Sequence, residues 1–417
     1  MVLGRLVAGR LFGALAVLLL AGIAVGARVS GSAAGTVPST STTTSTVSWS
    51  TFPRLVLNAM SCVASGCVGV GEEDLTEQVA LPFVERQVRG VWQHDSVLQP
   101  SLTTKRSSAL NAVSCWSATG CAAIGTFFPS CCDEKAFAEV LTGSVWQLQR
   151  HVGPSGYQPN ALSCPGARFC MSVGDGADRA SVVQWNGRRW LRDRTPDPNT
   201  DPNTDLESGQ AVSLTAVSCP ERHDCVAVGT WAPPNITTYR AQAPNRPLGE
   251  IYHDGKWVIQ QPEAHKHFTY DLTSVSCPTA AVCMAVGSSG AVHARSYSAA
   301  RVKPFAEFWD GVSWVSQRLP EPTRPGSLES VSCASPRSCL AVGTNLNGSP
   351  ATFADRWNGH HWTQRILPIG SQASEPPSLA AFCTTTRTCT AAAWAWPQTT
   401  PTLARPDGNR WTVQSHA

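Results

Sequence analysis

One phrase recurs seven times along this 417-residue chain, and it limits the fold more than any other feature. It reads as a short apolar run ending in Ser-Cys, a few polar residues, and a run of the form Cys-x-Ala-Val-Gly, as in "LTAVSCPERHDCVAVG" from Leu214. Copies begin near residues 57, 110, 159, 214, 272, 328 and 379, a period of roughly 50 residues. After a variable gap each copy is followed by a second phrase built on Trp, such as "AEFWDGVSWVSQRLP" from Ala306. The first phrase is two β-branched and small-residue runs around a turn, a hairpin of strands A and B. The second places Asp-Gly or Asn-Gly, residues of tight primed turns, between two further runs, which become strands C and D.

Seven units of four strands each predict an all-β protein, a seven-bladed β-propeller with four antiparallel strands per blade. A tandem of independent β domains would need a larger unit, and a β-solenoid a shorter one. Apolar residues on both faces of A and B fit blades sandwiched between neighbours. The 15 Trp against 5 Tyr follow from reuse of Trp at a fixed place in the unit.

Fourteen of the 16 cysteines fall in the repeat. They make the pairs Cys62 and Cys67, Cys115 and Cys121, Cys164 and Cys170, Cys219 and Cys225, Cys277 and Cys283, Cys333 and Cys339, and Cys383 and Cys389. In an A–B hairpin the two members face each other across the turn, within reach of a disulfide. Zinc binding would need a second pair or a histidine close by, which seven equivalent pairs on seven blades do not supply. Intra-blade disulfides are therefore expected. Cys131 and Cys132 stand outside the pattern; an adjacent bond, a loop-to-loop bridge and a bond to another chain all remain open.

The N-terminus carries Arg5 and Arg10 and then the uncharged run Leu11–Ala27, an export signal that reads either as a cleaved signal peptide or as a membrane anchor over residues 1–27. Residues 28–48, rich in Ser and Thr, form a flexible spacer, and the propeller occupies 49–417. The expected location is secreted or at the cell surface, where disulfides persist. The formal net charge of +3 offers no basic surface for nucleic acid, and contact with membrane is expected only through the N-terminal segment.

The order of turn, Trp and terminal Leu-Pro in "AEFWDGVSWVSQRLP" resembles the second hairpin of kelch-type propellers, although "AVG" replaces the kelch double glycine. The units are more similar to exported actinobacterial propeller-like repeat proteins, with Ser-Cys, Cys-x-Ala-Val-Gly and Trp-x-Gly-x-x-Trp, over Leu57 to Gln414. That resemblance implies the propeller fold and brings no activity and no functional residues.

In such a blade the A–B and C–D turns share one face of the disc, while the B–C loops and D–A connections share the other. The first set is uniform and the second varies from unit to unit, which makes the second the expected ligand face. Three features lie there. The B–C loop of the fourth unit carries Trp231, Tyr239, Arg240 and Arg246, suited to a carbohydrate or protein ligand outside the cell. Asp197, Asn199, Asp201, Asn203 and Asp205 alternate like the first half of a calcium loop, but Pro202 stands at the required glycine and Ser208 at the closing glutamate. Glu263, His265 and His267, with His293, are potential metal ligands. His360 and His361 sit in a C–D turn on the opposite face.

Asn58, Asn111 and Asn160, at the second position of three A strands, either line a polar channel or cap backbone groups. The acids near A-strand starts, Asp205, Asp271 and Glu329, form no evident catalytic pair. The sequence therefore points to a binding or scaffold module requiring no cofactor, with calcium the ion that the Asp and Asn run would suit; a propeller glycoside hydrolase or lyase is the alternative.

Overall fold

The computed structural model describes residues 54–414 apart from 77–78, 101–106, 131–132, 177–179, 197–211, 233–244, 266, 292–301, 321–324, 346–351, 370–376, 387, 395–401 and 408–409. The described residues hold 28 strands in seven separate four-stranded antiparallel sheets, each in the order A–B–C–D. The blades span 54–94, 108–152, 158–193, 212–259, 268–316, 326–366 and 378–414. No helix long and apolar enough to cross a membrane occurs among the described residues. Each blade keeps its own four strands, so the ring closes by packing blade 7 on blade 1 with no strand exchanged.

There is no single central core. Side chains alternate across each pleated strand, and both faces of a blade are covered, so the apolar residues collect into seven clusters, one at each blade–blade interface. Between blades 3 and 4, for example, Phe169, Met171 and Val173 pack on Leu214, Val217 and Leu248. The disulfides lie in these interfaces. All seven expected pairs are bonded, with Cα atoms 4.0 to 4.1 Å apart. Each closes a loop of seven residues or fewer, worth about 2 kcal/mol in the loop-entropy account.

Strand A pairs only with strand B, which leaves its inner edge with free backbone groups. The repeated Ser of Ser-Cys answers one of them. Ser61 Oγ accepts a hydrogen bond from the Cys115 amide of the next blade at 3.0 Å. The same bond runs from Cys164 to Ser114, Cys219 to Ser163, Cys277 to Ser218, Cys333 to Ser276 and Cys383 to Ser332, all at 2.9 to 3.0 Å.

A β-bulge answers the other. In blades 1 to 6 the register of A on B slips at one residue: Asn58, Asn111, Asn160, Thr215, Thr273 and Glu329. A bulge re-aims the side chain it carries. Asn58 Nδ2 donates to the Leu110 carbonyl at 3.0 Å, Asn111 to Pro159 at 3.2 Å, Asn160 to Leu214 at 3.0 Å and Thr273 Oγ1 to Leu328 at 2.8 Å, and Thr215 bonds Leu272 in the same way. The asparagines thus cap the backbone of the adjoining blade.

The bulge also explains the glycine of Ala-Val-Gly. It presses the strand A carbonyl onto strand B, so that a Cβ on Gly229 would lie 1.9 Å from the Ser213 oxygen. Blade 7 has no bulge and tolerates Ala393 at that position.

The C–D turns divide by length. Arg89-Gly90 and Asp254-Gly255 have positive φ at both residues, the expected two-residue primed turn. Blades 3, 5 and 6 instead use four-residue loops between paired tryptophans, Trp185–Trp190, Trp309–Trp314 and Trp357–Trp362, whose rings sit 5.6 Å apart. In these loops Asn186, Asp310 and Asn358 accept bonds from two following amides, and only the glycine is left-handed. The side-chain cap does the work that a second positive φ does in the shorter turn.

Gly229→Ala should cost at least about 2 kcal/mol in urea unfolding, because backbone must move to admit the methyl group. Ala393→Gly, at the unbulged equivalent, should cost only about 0.5–1 kcal/mol through lost backbone restraint.

Candidate functional site

Blade 4 supplies the cleft on the variable face. Its strands are A Val212–Glu221, B Asp224–Trp231, C Arg246–His253 and D Lys256–Ile259. Trp231 ends strand B and Arg246 begins strand C directly opposite it, so the B–C loop leaves from an aromatic ring and a guanidinium side by side. Gln261, Pro262 and Ala264, from the connection to blade 5, complete an open cleft of about 420 Å³.

The walls are held from below. The Asn245 amide donates to Thr269 Oγ1 at 3.1 Å, and the Tyr270 amide donates to the Asn245 carbonyl at 3.0 Å, which pins the base of the loop to strand A of blade 5. Tyr270 is buried against Phe305, with ring centroids 4.9 Å apart, and its hydroxyl accepts the His265 amide at 3.0 Å. Trp231 packs on the cluster between blades 3 and 4, and its indole N–H is buried with no hydrogen-bond partner among the described residues. Rigid placement of an aromatic plane beside a cation suits recognition of a ring or an extended chain bearing an anionic or polar group.

Two of the four sequence candidates, Trp231 and Arg246, therefore line one cleft, while Tyr239 and Arg240 lie outside the described residues. So do Asp197, Asn199, Asp201, Asn203, Asp205, His293, Cys131 and Cys132. Glu263, His265 and His267 are exposed on the connection entering blade 5, where His265 meets Phe268 edge-on at 6.1 Å. Among the described residues no three His, Cys, Asp or Glu side chains come together in a way that could hold a metal ion. His360 and His361 are exposed in the blade 6 turn, their amides bonded to Asn358 Oδ1.

The A-strand acids are tied into the architecture. Glu329, the bulge residue of blade 6, accepts Thr344 Oγ1 at 2.6 Å and a backbone bond from Leu379 of blade 7; burial pushes its carboxyl up to about 7. Burial also raises Asp271, and it raises Asp175 against the opposing bonds from Ser213 and Asn160.

A second set of acids escaped the sequence reading. On strand C, opposite the strand B residue two places after the second cysteine of the blade, stand Glu85, Glu139, Glu250, Glu307 and Asp355. The last four are completely buried. Val183 and Ala404 fill this place in blades 3 and 7 and sit in the clusters against the preceding blade. Desolvation pushes Glu139, Glu307 and Asp355 up to about 7, opposed by bonds from the Leu98 backbone, Ser316 and Gln364 respectively. The like charge of Glu263 adds to the rise at Glu307. The signal was present as Ala-Glu, Gly-Glu and Ala-Asp ahead of an aromatic or aliphatic strand end, but a lone acid in an alternating strand reads as solvent-facing.

No known protein family and no curated protein matches the chain. Among solved structures it is similar to the β-propeller domain of the Trilobed protease from Pyrococcus furiosus, with 8% identity, a TM-score of 0.48, and 86% of this chain and 96% of that chain covered. It is also similar to YCF48 bound to D1 peptide, at 11% identity, TM-score 0.47 and coverage of 81% and 88%. A fucose-specific lectin from Aleuria aurantia matches at 11% identity, TM-score 0.40 and coverage of 73% and 94%.

The buried carboxyls set a pH dependence of stability. Their folded pKa values near 7 exceed the ordinary 4.5 of Glu and 3.8 of Asp, so the folded state holds protons that the unfolded chain releases. Their contribution is full below about pH 4 and is lost as pH rises through 7. Unfolding free energy should fall by on the order of 1–3 kcal/mol per carboxyl between pH 5 and pH 8. In the Glu307→Gln, Asp355→Asn double variant that slope should flatten.

Proposed function

We propose that this protein is an extracytoplasmic binding module, a rigid propeller that presents a carbohydrate or protein ligand site on its B–C and D–A loop face, centred on the blade 4 cleft. The observation that carries the reading is the pairing of Trp231 with Arg246 at the mouth of a loop whose base is pinned to blade 5. An aromatic face supplies contact area at little entropic cost, and a guanidinium supplies directed donors; such residues recur at the centres of binding sites. The rest of the unit is spent on holding the ring together, which leaves the variable loops to recognise a partner.

Delivery outside the membrane follows from three features. The Leu11–Ala27 run and the Ser/Thr tract suit an exported protein on a spacer. Seven disulfides suit an oxidising compartment, as in the exported repeat proteins that the units resemble.

Screening the full exported chain on glycan and peptide arrays should give at least one ligand class. Arg246→Ala should weaken its binding tenfold or more, about 1.4 kcal/mol, with the melting temperature unchanged, and Trp231→Ala should weaken it at least as much while also lowering the melting temperature, because the indole packs on the cluster between blades 3 and 4. His360→Ala, on the opposite face, should leave binding intact. Undiminished binding by both cleft variants would remove the site from this face of blade 4.

A further inference from the structure

Blade 7 departs from the repeat at every position that ties one blade to the next. Phe382 stands where the other blades have the serine of Ser-Cys, so this position offers no hydroxyl to the Cys62 amide of blade 1. The bulge residue itself is deleted, since Leu379 and Ala380 pair in unbroken register with Ala393 and Ala392, so blade 7 has no side chain at that place to reach the next carbonyl. Ala393 replaces the glycine that the bulge requires. These substitutions are coupled, since without the bulge the glycine has no function.

The missing bond is replaced from another strand. The indole N–H of Trp394, on strand B of blade 7, donates to the Leu57 carbonyl of blade 1. Leu57 is the equivalent of Leu110, Leu214, Leu272 and Leu328, the carbonyls capped elsewhere by bulge residues. The apolar part of this seam is also the smallest. Among the described residues it holds seven buried ones, Leu57, Met60, Phe83, Ala380, Ala392, Trp394 and Leu403, with five partly buried beside them, against ten to fourteen buried at the other six interfaces. Among the described strands none crosses it.

We propose that the interface between blades 7 and 1 is a built-in opening point of the ring. It separates as a unit, hinged on the six remaining interfaces, while every blade keeps its own sheet and disulfide. The indole hydrogen bond and an apolar cluster with fewer buried residues stand here, where each of the other junctions adds a hydrogen bond from a cysteine amide to a serine hydroxyl between strands held by more buried residues. The opened seam would uncover Leu57, Met60, Phe382 and Trp394 and the inner edge of strand A of blade 1.

Hydrogen–deuterium exchange on the intact, oxidised protein, read by mass spectrometry, tests this. Amides of residues 54–63 and 378–394 that face the seam should exchange at least tenfold faster than the equivalent amides of residues 212–221 and 272–286. Strand A of blade 7 and its bonds to Ser330 and Ser332 across the other junction should stay protected at the blade 6 side, where residues 326–335 exchange slowly. Trp394→Phe, which keeps the ring and removes the donor, should speed exchange further at the seam alone. Equal protection at all seven interfaces would overturn the proposal. So would fast exchange on both sides of blade 7, which would mean that the blade unravels by itself.

Discussion

The structure depends on the hydrogen bond that a cysteine amide donates to a serine hydroxyl of the preceding blade. A four-stranded blade has three internal ladders and two unpaired edges, one of which leaves the innermost strand with backbone groups outside any ladder. Other all-β folds remove such edges by closing a barrel. Here six serines and six bulge side chains do it one group at a time, each blade capping its successor. Because each cap reaches across an interface, the interaction that satisfies the edge is also the one that fixes blade order and spacing. The disulfide beside it holds the hairpin that presents the amide, which couples the cysteine and the serine into one device.

Much of this architecture was legible in the repeat. The period, the two hairpins and the compartment argument predicted blade number, strand order and all seven disulfides, because each rests on local chemistry: turn residues, β-branched runs and cysteines a turn apart. The parts that were not legible are relations between blades. The serine looked like a companion of its cysteine, whereas its partner is about 50 residues away. Asn58 and its equivalents could not be placed, since a bulge changes where a side chain points without changing composition. The five strand C acids were missed for a different reason. An acid in an alternating strand is normally outward, and only a blade covered on both faces makes the outward side an interior.

The candidate site was legible to a smaller degree. Loop placement singles out a candidate face, and Trp231 and Arg246 line one cleft, but that cleft needs Gln261, Pro262 and Ala264 from a connection more than a dozen residues farther along. No local pattern joins those segments. What joins them is the anchoring of Asn245 to strand A of blade 5, a consequence of blade packing. The division of labour is therefore physical: repeated residues satisfy one another across interfaces, and the unrepeated ones are free to face a ligand.

The central claim is tested most directly by calorimetry on a series in which Ser114, Ser218 and Ser332 are changed to Ala one, two and three at a time. Each change leaves a cysteine amide without its acceptor at a different interface, and the three sites share no partners. The account predicts additive losses of about 1–3 kcal/mol per site, with cooperative unfolding retained. Losses indistinguishable from zero would contradict it, because water would then serve these amides as well as the serines do.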